Sequence, residues 1–187
     1  MKLLETITAC LPRLLRKEDP ETKRARIENQ RKQIGSAVGK VLDQEKVLEQ
    51  VGYARLSPTE PTCRGSNGDL LDNLYGLVLQ LRRVEKRENF PYHYYLRSPD
   101  GLIVDRTWQQ FLRPYFPPHL PDLRPPLPSY LPDVFVGTRE ELIALIARHA
   151  ELPQSENGSM TAEEFVDQQY GLGAHSSGSH EVKSWLS

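Results

Sequence analysis

Cys63, His93 and Asp105, in that order along the chain, are the residue types that nucleophilic attack on an acyl carbon requires. A thiolate attacks, an imidazole takes the thiol proton and later returns it, and a carboxylate holds the imidazole in one tautomer. A free thiol titrates near ~8.5 and is mostly protonated at neutral pH, so it needs an imidazolium or a helix N-terminus beside it to become reactive. Cys63 lies within LSPTEPTCRGSNGD (56–69), a loop dense in Pro, Gly, Ser and Thr just ahead of an apolar helical pattern. Small residues there allow close backbone approach, and the loop N–H groups could form part of an oxyanion hole.

His93 and Asp105 sit on the two arms of HYYLRSPDGLIVDRTW (93–108). Ser98-Pro99-Asp100-Gly101 fits a type I turn followed by a left-handed glycine, the three-residue hairpin loop. That loop pairs Ser98 with Leu102, Tyr95 with Asp105 and His93 with Thr107. His93 and Asp105 then become diagonal neighbours on one face, roughly 5.5–8 Å apart at Cβ. Tyr94, Leu96, Leu102 and Val104 point to the other face, toward a helix. A two-residue loop would put His93 and Asp105 on opposite faces.

The order of these residues and their setting resemble the papain-like and transglutaminase-like cysteine hydrolases, in which the Cys begins a central helix and the His and Asp lie on neighbouring antiparallel strands. The likeness is to small bacterial members: effector proteases, protein-glutamine deamidases and related toxin domains. It is carried by His93-Tyr94-Tyr95, Asp100-Gly101 and Asp105-Arg106-Thr107-Trp108, and covers about residues 56–112. The resemblance implies Cys63 as nucleophile, His93 as base and Asp105 as orienter. Asn67, Trp108 and Gln109 are candidates for substrate or oxyanion contact, with Gln50 a nominal oxyanion donor. Trp108 would shield the His–Asp pair from water, and Gln109 or Gln110 would line the cleft. The implied substrate is a protein glutamine side chain from a host or competitor cell. The same groups would serve a protease or a transglutaminase. No cofactor or metal is implied; possible partners are a secretion chaperone or an immunity protein. The expected location is outside the producing cell, without a cleaved signal peptide, acting in the target-cell cytoplasm, and otherwise the cytoplasm.

The surrounding elements must position these groups. Asp19-Pro20-Glu21 starts a helix, the Asp as cap and the Pro at the first helical position. Ile27, Ile34, Val38, Val41, Leu42, Leu48 and Val51 form its apolar stripe. Leu70, Leu74, Leu77, Val78 and Leu81 predict a central helix from Asp69 to Glu88. Residues 114–132, PYFPPHLPDLRPPLPSYLP, suit a polyproline strap and neither a helix nor a central strand; Phe111 and Phe116 would anchor it. Residues 133–137 read as a strand. Thr138 to Glu141 is a capping box opening a helix through His149, and Thr161 to Glu164 a second one opening a short helix.

The expected organisation is an N-terminal amphipathic arm (1–18), one α+β domain (19–152) and a polar C-terminal tail (153–187) carrying that short helix. The fold expectation is α+β, with the Cys-bearing central helix packed on a small antiparallel sheet and flanked by N- and C-terminal helices.

Lys and Arg number 24 against 25 Asp and Glu, so net charge offers no bulk attraction for nucleic acid. The basic residues of 1–40 are diluted among Glu and Gln without interleaved aromatics, which reads as a solvated helix face. Cys10 and Cys63 have no metal-ligand spacing, and the remaining histidines are scattered. No apolar run reaches the roughly 18–20 residues that span a bilayer. Glu5 and Pro12 interrupt any signal-peptide core. One alternative stays open from another class: Cys63 as a loop thiol, His93 as a strand residue and Asp105 as a turn acid, in an interaction or adaptor protein using the basic helix and the proline strap.

Overall fold

A computed structural model describes residues 18–50, 63–85, 92–112, 129–150, 152, 154–155 and 158–172. The N-terminal arm, most of the proline strap and the end of the tail lie outside these residues. Helix α1 (Pro20–Gln50) starts where Asp19 accepts the Thr22 N–H on its carboxylate at 3.1 Å. Ile34, Val38 and Val41, spaced i, i+4 and i+7, are buried, whereas Val47 and Leu48 stay exposed. The middle of α1 therefore docks and its ends project.

Helix α2 (Cys63–Asn73) begins at Cys63, well before the expected start at Asp69, and stops long before Glu88. Its buried face is Asn67 and Leu70, continued by Leu74 just past its end. Asn73 turns back to the Asp69 carbonyl, and Gly76 takes φ +79°, a conformation that ends the helix. Beyond it Leu77, Leu79 and Leu81 alternate inward while Val78 is exposed, which is strand periodicity. The expected second half of the central helix is strand β1 (Gln80–Glu85) instead.

Strands β1, β2 (Tyr92–Arg97), β3 (Ile103–Asp105) and β4 (Phe135–Gly137) form an antiparallel sheet in that order. The fold is α+β, with four helices among the described residues. Helices α1 and α2 cover one face, closing Leu96, Leu102, Val104 and Val134 into a core. Helices α3 (Arg139–His149) and α4 (Ala162–Tyr170) cover the other, enclosing Val84, Tyr95, Ile103, Trp108 and Phe135. Both open on complete capping boxes, at Thr138–Glu141 and Thr161–Glu164. A small hairpin, β5 (Gln154–Ser155) and β6 (Gly158–Ser159), connects them.

The short C-terminal helix differs from expectation because its apolar face must be buried. Phe165, Val166 and Tyr170 are buried in the second core, so α4 belongs to the domain and not to a polar tail. Arg139 of α3 grips it with a two-toothed ion pair to Asp167, at 2.6 and 2.7 Å, and a further contact to Glu163.

The hairpin has the three-residue loop. Leu96 pairs with Val104 and Arg97 with Ile103, while Ser98 N–H donates to the Leu102 carbonyl at 2.9 Å. Gly101 takes φ +86°. A Gly101→Ala change should therefore cost about 1–2 kcal/mol. Gly35 of α1 is helical, with open space where a Cβ would stand. Gly35→Ala should stabilise by about 0.5–1 kcal/mol. Urea unfolding midpoints of the two variants should move in opposite directions.

Candidate functional site

The hairpin register brings His93 and Asp105 together. His93 Nε2 lies 3.0 Å from Asp105 Oδ2, and the two side chains are 1% and 0% exposed. A carboxylate buried this completely must have its lone pairs occupied. Tyr170 at the end of α4 donates its hydroxyl to the same Oδ2 at 2.7 Å. Oδ1 accepts the Thr107 N–H at 2.7 Å, the Thr107 hydroxyl at 2.9 Å and the Asn67 amide at 3.1 Å. Burial alone would push the Asp105 carboxyl up. The attraction of His93 and the hydrogen bonds from His93, Tyr170 and Thr107 reverse that and hold it below the ordinary carboxylate range. An ionised Asp105 only accepts, so the ring proton sits on Nε2 and the Nδ1 lone pair faces the other way. There the Gln110 amide nitrogen approaches Nδ1 at 3.3 Å.

Aromatic rings close the faces of the imidazole. Tyr95 stacks on it at 6.0 Å, and Phe111 and Tyr170 meet it edge-on at 5.1 and 4.9 Å. Tyr95 in turn donates its hydroxyl to the Tyr170 carbonyl at 2.9 Å, tying β2 to the C-terminus of α4. Burial pushes the Tyr95 phenol up, which keeps it a donor.

Helix α2 joins the network through Asn67. Its amide donates to the Tyr94 carbonyl at 2.9 Å and to Asp105, and its oxygen accepts the Arg106 N–H at 2.9 Å. One buried side chain thus ties α2 to both arms of the hairpin. Cys63 is the first residue of this helix, four positions before Asn67, and so lies at the same register on the helix. Its side chain is outside the described residues.

Comparison of the chain with protein-family models, curated proteins and solved structures returns no match. The site stands on its own geometry.

The expected substrate and oxyanion contacts are placed differently. Asn67 is fully buried and committed to Asp105, Arg106 and Tyr94, so it is a brace and not an oxyanion donor. Trp108 is fully buried, its indole N–H donating to the Pro132 carbonyl at 3.0 Å. Gln109 donates to the same carbonyl at 2.8 Å. These two fasten the end of the proline segment, and Phe111 with Tyr170, not Trp108, shields the imidazole. Gln50 is exposed at the end of α1. Arg106, beside Asp105 in sequence, turns away to a bidentate pair with Glu45 of α1 at 2.7 and 2.5 Å.

Tyr170 is the member of the network that spacing along the hairpin could not reveal. Its signal was in the sequence: a capping box at Thr161, apolar Phe165, Val166 and Tyr170 on one face, and Gly171 as a left-handed stop. Together they describe an amphipathic helix that needs a core. Among the described residues no group of three or more His, Cys, Asp or Glu could hold a metal ion. No helix among them is long and apolar enough to cross a membrane.

Removing the charge at Asp105 leaves five donor groups from four residues facing a weaker partner, and Asp105→Asn should destabilise by about 3–5 kcal/mol at neutral pH. The carboxyl is held below its unfolded value, near ~3.9, so its contribution is present above that pH and is lost as pH falls through the folded value. Urea titrations should show the wild-type advantage over Asp105→Asn shrinking below about pH 4.

Proposed function

We propose that the protein is a Cys-His-Asp amide hydrolase with a papain-like or transglutaminase-like core, acting on glutamine side chains of a protein substrate as a bacterial effector or toxin. The observation that carries this reading is the buried His93–Asp105 pair, whose carboxylate is fixed by donors from β2, α4, the turn after β3 and α2, the helix that Cys63 begins. A merely structural histidine needs one partner for each ring nitrogen. Here the carboxylate itself is clamped on both oxygens, which is what an orienting group requires.

In this reading the Cys63 thiol passes its proton to Nδ1 of His93 and the sulfur bonds to the amide carbon. The C–N bond breaks, and the imidazolium gives its proton to the departing nitrogen, which leaves as ammonia. Water then attacks the thioester with His93 as base, releasing a glutamate side chain and the thiol. The N-terminal turn of α2 presents backbone N–H groups and the positive end of the helix dipole to a thiolate at Cys63. Asp105 holds the imidazole's proton on Nε2, leaving Nδ1 as the basic nitrogen.

Iodoacetamide labelling across pH separates this from an interaction protein. Cys63 should alkylate well below the ordinary thiol value near ~8.5. The reaction should slow in His93→Ala and, less severely, in Asp105→Asn. An ordinary thiol profile indifferent to both substitutions would sink the catalytic reading. With a candidate target, an intact-mass gain equal to amide-to-acid conversion, the chain staying whole, marks deamidation. Fragments mark proteolysis.

A further inference from the structure

Asn67, Trp108 and Gln109 are committed to other partners, and Gln110 lies against the base itself. Gln110 stands on the short 3₁₀ segment Trp108–Leu112 and is exposed, while the ring it touches is 1% exposed. Asp105 of β3 takes Nε2, Tyr95 of β2 stacks on one side, and Phe111 and Tyr170 of α4 close others. Among the described side chains, the titratable groups that meet His93 from these elements include Asp105, Tyr95 and Tyr170. Gln110 meets the ring at Nδ1, with a longer contact of 3.4 Å to the Thr107 hydroxyl.

We infer that Gln110 is a positioning residue for the base: its amide occupies Nδ1 of His93 in the resting site and is displaced when the thiol and substrate engage that nitrogen. This rests on the hydrolase reading above. Two properties of the side chain suit the role. An amide offers N–H to a neutral imidazole and, after rotation, its oxygen to an imidazolium, so it satisfies Nδ1 in either protonation state. It also sits at the solvent edge of an otherwise enclosed ring, where it can swing out without opening the core. A donor at Nδ1 competes with the thiol for the same lone pair. Gln110 therefore sets how readily a thiolate–imidazolium pair forms, while making no bond in the reaction.

The test uses the full chain with Gln110→Ala and Gln110→Glu, both at an exposed position that leaves thermal unfolding in place. Two readouts are taken: nitrogen NMR titration of His93, and the rate of Cys63 alkylation by iodoacetamide between mildly acidic and neutral pH. Alanine removes the amide donor from Nδ1, and alkylation should rise severalfold. Glutamate sets a carboxylate against Nδ1, which should raise the His93 titration midpoint by about 1 unit or more. It also competes with the thiolate for the imidazolium, so alkylation should fall. A purely structural glutamine would not give opposite signs. Two unmoved readouts, with alkylation still dependent on His93, would overturn the role of Gln110 and leave the hydrolase intact. Alkylation indifferent to His93→Ala would remove the hydrolase reading and this inference with it, even if Gln110→Glu moved the titration.

Discussion

A negative charge buried without water must be solvated by the protein itself, and Asp105 imposes that demand on most of the fold. Its carboxylate draws donors from β2, from the turn after β3, from α2 and from α4. An unpaired ion in that position would cost several kcal/mol. The sheet, the two helices and the turn after β3 are thus coupled through one side chain. Displacing any of them strands either the charge or a buried donor. The same constraint leaves Tyr95 joined to the Tyr170 carbonyl, so the aromatic layer over the imidazole is held by polar contacts as well as by packing.

The two faces of the sheet divide the labour. Aliphatic packing of Leu96, Leu102 and Val104 against Ile34, Val38, Leu70 and Leu74 supplies a conventional core. The opposite face carries the aromatic and polar cluster. This separation follows from strand alternation, because His93 and Tyr95 share a side while Leu96 takes the other. Arg106 shows how the arrangement is insulated: its charge is satisfied by Glu45 on α1, which keeps the guanidinium off the carboxylate and leaves Oδ2 of Asp105 to His93 and Tyr170.

The hairpin was legible in the sequence because a local turn sets its register: Ser98-Pro99-Asp100-Gly101 suits the three-residue loop, and with that loop His93 and Asp105 share a face. Capping boxes at Thr138 and Thr161 were equally local and equally readable. The extent of α2 was not, because Leu77 and Leu81 continue the helical stripe of Leu70 and Leu74 and, with Leu79, also satisfy a strand alternation. Gly76 decides between them, and its weight depends on the sheet partner that β1 finds. The roles of Asn67 and Tyr170 were hidden for a different reason. They are contacts across distant elements, and nothing in their own neighbourhood encodes the carboxylate that each one meets.

The position of α4 gives the chain a temporal property. Synthesis or threading through a narrow pore delivers the hairpin and Asp105 well before Tyr170 emerges, and the charge cannot be enclosed until α4 docks and Arg139 clasps Asp167. Until then the imidazole lacks one of its aromatic walls and the carboxylate one of its donors. The last helix among the described residues is the one that completes the site. The assembly order thus runs from a locally encoded hairpin to a closure that requires nearly the whole described chain.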